Sequence, residues 1–117
     1  IASGKRSRKL KRVKSIDVTT LAKWREEKQE HQLIDVREPW EVEVGNINGF
    51  HIPMHELLDS IEKIRRDIPV VVHCRSGVRS AAVVHHLALQ LGYENVHNLQ
   101  GGIEAWSQEI DPNLEVA

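Results

Sequence analysis

Pro69-Val70-Val71-Val72-His73-Cys74-Arg75-Ser76-Gly77-Val78-Arg79-Ser80 decides how this chain is read. The valines form an apolar, β-branched run, the composition of a strand covered on both faces. From Ser80 to Leu91 the spacing turns helical, and Gly92 supplies a C-cap. The segment between is therefore a strand-to-helix junction, and the only cysteine stands at its start. A thiol placed there faces loop N–H groups and the positive end of a helix, and both favour the thiolate. Arg75 and Arg79 add positive charge around the same sulfur. Gly77 permits backbone angles that turn successive N–H groups inward, as in an anion-binding nest. A free cysteine often serves as a small core hydrophobe. Two arginines and a glycine directly after it fit an exposed, anion-binding loop instead, so Cys74 is read as a nucleophile.

Working outward, strand and helix alternate. Ser15-Ile16-Asp17 reads as a brief strand, and Thr19 or Thr20 as the cap of a helix running to about Glu27. Leu33-Ile34-Asp35-Val36 suits a buried strand, and Glu38-Pro39-Trp40-Glu41 begins a short helix with proline in its first turn. Phe50 to Ile52 predicts a further strand, Leu57 to Arg66 a helix, Asn95 to Leu99 a last strand and Ile103 to Ile110 a last helix. This alternation predicts an α/β fold with a mostly parallel sheet.

The 117 residues fit one small domain, and 40% apolar content is enough for a core. No apolar run approaches the roughly 20 residues that cross a bilayer, so no membrane partner is expected. One cysteine forms no internal disulfide, which points to a reducing, cytoplasmic setting. The net charge of −1 hides an asymmetry. Residues 1–15 carry seven Lys and Arg and no acid, and the remainder is acidic. Residues 1–14 are accordingly read as a basic linker or N-terminal extension, and 15–117 as the domain. The acidic body argues against a nucleic-acid partner.

In parallel sheets, sites form at the carboxyl ends of strands. Asp35 and Arg37 close one central strand and Cys74 another, so the three are expected near each other. Pairing of Asp35 with Arg37, in support of the Cys74 loop, is the role their chemistry suggests. His73, His85 and His86 do not make a metal site, because adjacent histidines on a helix point about 100° apart and no second ligand pair accompanies them. Trp24, Trp40 and Trp106 are read as covering the core edge, with Trp40 a candidate for the pocket wall.

Several motifs together resemble the rhodanese homology domain. They are Asp35-Val36-Arg37-Glu38-Pro39, Glu41, Gly45, Ile47, Gly49, Ile52-Pro53, the run from Val71 to Ser80, and Gly101-Gly102-Ile103 with Trp106. The resemblance spans about Ile16 to Gln108. Gly45-Asn46-Ile47-Asn48-Gly49-Phe50 departs from the family's usual Gly-His-Ile-x-Gly-Ala, and Val42 stands where an aromatic is common. The resemblance implies a five-stranded parallel sheet flanked by helices on both faces. It also implies an active-site loop of Cys74, Arg75, Ser76, Gly77, Val78 and Arg79, and no cofactor. Cys74 would take a sulfane sulfur from a small donor such as thiosulfate, or from a protein persulfide, and pass it to a nucleophile. Four residues separate Cys74 from Arg79. Phosphatases and arsenate reductases of related fold have five, so the shorter loop favours sulfur transfer over that alternative, and over a module that only binds partners. The start at Ile1 and the basic lead-in resemble the C-terminal domain of a molybdopterin-synthase-activating adenylyltransferase. In that setting the sulfur would reach a small sulfur-carrier protein.

Overall fold

The computed structural model describes residues 13–117. The basic segment expected at 1–14 lies, for residues 1–12, outside them. Five parallel strands form one sheet: β1 (Ser15–Ile16), β2 (Gln32–Asp35), β3 (Phe50–His51), β4 (Val70–His73) and β5 (Val96–Leu99), in the order β1-β5-β4-β2-β3. Four α-helices connect or flank them: α1 (Val18–Glu26), α2 (Pro39–Val44), α3 (Val78–Leu91) and α4 (Gly102–Glu109). The strand β4 is central and buried along its whole length, as its valine run requires.

Successive β4 side chains point to opposite faces, so one strand seeds two cores. Val70 and Val72 pack with Ile34, Val83, Val84 and Leu87 under α3. Val71 packs with Leu33 and Leu99 against Leu21 of α1 and Ile103 and Trp106 of α4. Full burial of each such side chain contributes roughly 1.5–3 kcal/mol. Helices therefore cover both faces, and the pairing of Asp35 with His73 brings the ends of β2 and β4 level.

Three local expectations are corrected. Asp17, rather than Thr19 or Thr20, caps α1: it stays extended (φ −93°, ψ 172°) and its carboxylate accepts the Thr20 N–H at 2.8 Å, while both threonines lie in the first turn. The helix expected over Leu57 to Arg66 is replaced by two 3-10 segments, Met54–Glu56 and Leu58–Lys63. Ser60 (φ −118°, ψ 21°) breaks the second, yet Leu57 and Ile64 still reach the core. Finally, α3 begins at Val78, before the expected Ser80, because Gly77 (φ 104°) completes the turn out of the loop.

Candidate active site

Cys74 leaves β4, and the chain turns at Gly77 in a left-handed conformation before α3 begins. The first N–H groups of any helix lack partners within it. In α4 these orphans take the carbonyls of the cysteine loop: Ile103 N–H donates to Cys74 O and Glu104 N–H to Arg75 O, each at 3.0 Å. Farther along, the turn at Gly77 brings N–H groups round to face the sulfur. Gly77 N–H donates to Cys74 Sγ at 3.1 Å and Ser80 N–H at 3.4 Å. The close approach requires glycine at 102 (φ 59°), where a Cβ would lie 2.4 Å from Arg75 O and 2.5 Å from Cys74 O.

The Ser80 hydroxyl completes the cradle, 3.4 Å from Sγ. Its other contact is Asn98 Oδ1 on β5 at 2.5 Å, and Asn98 Nδ2 donates to Gly77 O at 3.2 Å. A carbonyl only accepts, so the Gly77 contact orients the amide and leaves Oδ1 to accept from Ser80. Burial of Cys74, 1% exposed, pushes its thiol up. The Ser80 hydroxyl and the N–H groups of Ser80, Gly77 and Ser76 outweigh that and hold it below the ordinary thiol range.

Beside the loop, Arg37 is fully buried and bidentate to Asp35, with Nε and Nη2 at 2.9 and 2.8 Å. It also donates to Glu41 O and Gly45 O, so it pins the C-terminal turn of α2. Burial pushes the Asp35 carboxyl up, but the Arg37 hydrogen bonds and nearby His73 leave it below its usual range. His73 is buried with Nε2 unpartnered, 3.6 Å from Asp35 Oδ2. Burial lowers its pKa to about 4, so it is neutral at pH 7. Glu41 closes a capping box on Glu38 and holds Arg79 through two contacts of 2.8 and 2.9 Å.

The sequence profile of the rhodanese-like domain matches residues 17–109, most of the chain. The chain belongs to the rhodanese-like family. A sulfurtransferase of Allochromatium vinosum is 37% identical over 97 residues, 82% of this chain and 90% of that protein. An adenylyltransferase and sulfurtransferase of Drosophila willistoni is 31% identical over 99 residues, 77% of this chain and 22% of that protein. A rhodanese-related protein from Thermoplasma volcanium superposes with a TM-score of 0.72 at 36% identity, over 89% of this chain and 99% of that one.

In this rhodanese-like domain, Cys74, Ser76 and Gly77 lie on the loop expected from the sequence, whereas Val78, 75% exposed, is the first residue of α3. Arg75 lies on the loop and Arg79 in the first turn of α3, and each has a carboxylate partner. Arg75 Nε meets Glu104 Oε2 at 2.9 Å, and Arg79 is held by Glu41. Asp35 and Arg37 pair and support α2 without touching the sulfur. Trp40 is 62% exposed, so it does not cover the core edge as expected. Sequence reasoning passed over Ser80 and Asn98 as site residues. The signal for Asn98 was a polar amide on a strand whose neighbouring inward positions are apolar. Among the described residues, no three His, Cys, Asp or Glu groups converge as a metal site, and no helix is long and apolar enough to cross a membrane.

Proposed function

We propose that the domain is a sulfurtransferase that carries a sulfane sulfur as a persulfide on Cys74. The observation that supports this best is the cradle at Sγ: three donors from Gly77 and Ser80 converge on a buried sulfur with a lowered thiol pKa. Such a thiolate is a nucleophile at neutral pH. It attacks the outer sulfur of a donor, thiosulfate or a persulfide. The donor's S–S bond breaks as the bond to Cys74 forms, and sulfite or a thiolate leaves with the electron pair. The N–H groups that held the thiolate then face the persulfide anion. The 117 residues contain no second cysteine to take the sulfur on, so an external nucleophile receives it.

The likeness to the Drosophila adenylyltransferase and sulfurtransferase supports a role beside an adenylyltransferase domain, and for that setting we propose the C-terminal glycine of a small sulfur-carrier protein as the acceptor. The lone free cysteine suits the reducing cytoplasm. The test is intact mass after incubation with thiosulfate or a persulfide donor, with Cys74→Ser as control. The expected result is a gain of about 32 Da on the wild type only, reversed by dithiothreitol. No adduct from either donor would overturn the proposal.

A further inference from the structure

Asn98 is a polar side chain on a strand face that otherwise builds the core. On β5, Val96 packs with the residues under α3, and Leu99 with those of the opposite face. Alternation puts Asn98 on the Val96 side, toward α3. Its backbone is fixed from both sides. Asn98 stands opposite Ser15 of β1 and Val72 of β4, and its N–H donates to Lys14 O at 2.8 Å. The side chain is held as firmly. Nδ2 donates to Gly77 O at 3.2 Å, and a flipped amide would set its own oxygen against that carbonyl. Oδ1 therefore stays an acceptor, 2.5 Å from the Ser80 hydroxyl.

The Ser80 hydroxyl has one proton and a second acceptor, Cys74 Sγ at 3.4 Å. A neutral sulfur accepts weakly, so with a thiol at 74 the proton stays on Asn98. A thiolate draws it to Sγ and leaves Oδ1 without its partner. In a Cys74 persulfide the charge sits on the outer sulfur, about 2 Å farther out. Sγ is then neutral again, and the proton returns to Asn98. Only the unloaded thiolate forfeits the bond to Asn98.

Resting on the proposed sulfur transfer, we infer that Asn98 is a positioning residue that acts through the Ser80 hydroxyl to favour the loaded persulfide over the free thiolate. It reaches the sulfur only through Ser80. The bond forfeited is a neutral one, and the bias it sets is roughly fivefold. In unloading, a thiolate R–S⁻ attacks the outer sulfur of Cys74–S–SH. The new R–S bond forms, the S–S bond to Cys74 breaks, and Cys74 keeps the electron pair. The proton stays on the transferred sulfur, and no oxidant or reductant enters.

The experiment measures iodoacetamide alkylation of Cys74 against pH, and the equilibrium of persulfide exchange with cysteine, both by intact mass. Asn98→Ala and Asn98→Leu remove the acceptor, the second with little change of volume, and each is made also in a Ser80→Ala background. Below the thiol pKa both should alkylate roughly fivefold faster than the wild type, with rates converging at high pH. Exchange should shift roughly fivefold toward the unloaded protein. With Ser80 already replaced, neither change should appear. Asn98→Asp keeps an acceptor for Ser80 and sets a negative charge about 6 Å from Sγ, so it should slow alkylation at least about threefold. An asparagine that merely braced Gly77 would slow alkylation in all three variants, with or without Ser80. Slower or unchanged alkylation in both Asn98→Ala and Asn98→Leu would overturn the inference and leave sulfur transfer standing. So would an equal acceleration without Ser80, or faster alkylation with an unmoved exchange equilibrium. The expected alkylation with no loading of the wild type by any persulfide donor would remove sulfur transfer, and with it the loaded-state half of the inference.

Discussion

Replacing Ser80 by alanine tests whether side-chain chemistry, beyond the backbone cradle, sets the reactivity of Cys74. The Ser80 hydroxyl has one proton and two acceptors, Asn98 Oδ1 at 2.5 Å and Cys74 Sγ at 3.4 Å. With a neutral thiol the proton belongs on the shorter contact, and Ser80 Oγ is free to accept the S–H. With a thiolate, the hydroxyl gains by turning to the sulfur. A hydrogen bond to a charged group contributes about 1.5–3 kcal/mol, and the neutral bond given up at Asn98 about 1 kcal/mol. The long contact to sulfur places the net gain near the low end, roughly 0.7–1.4 kcal/mol, a factor of about three to ten in thiolate population.

Ser80→Ala should therefore raise the Cys74 pKa and slow alkylation roughly three- to tenfold below the thiol pKa. Rates should converge at high pH, where both proteins are thiolate. Iodoacetamide labelling followed by intact mass between about pH 5 and about pH 10 gives the profile, and thermal unfolding runs beside it. An unshifted midpoint would refute the reasoning. If Tm alone fell, the hydroxyl would be serving Asn98 and nothing else.

Gly102→Ala should cost more than about 2 kcal/mol in urea unfolding, since its φ is 59° and the new Cβ would meet Arg75 O at 2.4 Å; a loss under about 0.5 kcal/mol would contradict the packing of α4 on the loop. Acid should destabilise the domain in two stages. His73, held by burial at about 4 against an ordinary 6.5, stabilises the fold above the unfolded value, and that stability is lost as pH falls from 6.5 toward 4. Glu41, lowered from 4.5 to about 2 chiefly by Arg79, loses its contribution, roughly 3 kcal/mol at most, as pH falls from 4.5 toward 2. Stability measured by denaturant titration should keep its upper slope and lose much of its lower one in Glu41→Gln, and an unchanged lower slope would remove Glu41 from the account.

What was legible in the sequence was whatever local pattern determines. Val70-Val71-Val72 could be only a covered strand, and with Gly77 and the helical run from Ser80 it marked where the cysteine loop had to be. The carboxyl-end rule placed Asp35 and Arg37 beside it, and their pairing followed from charge. The N-cap of α1 and the 3-10 segments differ from expectation because each turns on a dihedral choice of one residue, Asp17 in one case and Ser60 in the other, whereas the Gly92 C-cap stands as read. Partners far apart in sequence were illegible. Asn98 lies 18 residues from Ser80, Glu104 lies 29 from Arg75, and Glu41 lies 38 from Arg79. Without those partners, two arginines beside a cysteine looked like free charge.

That difference changes what must stabilise the sulfur anion. If the guanidiniums were free, the thiolate would be held by mobile charges that salt screens. With both paired, the work falls to fixed dipoles: the N–H groups of Gly77 and Ser80, held by the left-handed turn at Gly77 and the first turn of α3, while α4 holds the carbonyls of Cys74 and Arg75. Dipoles fixed by two helices and a strand need no reorganisation when charge appears. They also suit a charge that moves. In a persulfide the negative charge shifts outward by one S–S bond, about 2 Å, away from Cys74 Sγ and along the loop. A single tightly placed cation would favour one of these two positions at the expense of the other. A loop presenting several N–H groups from Ser76 to Ser80 serves both, and a carrier that must accept a sulfur and then release it needs the two states close in free energy.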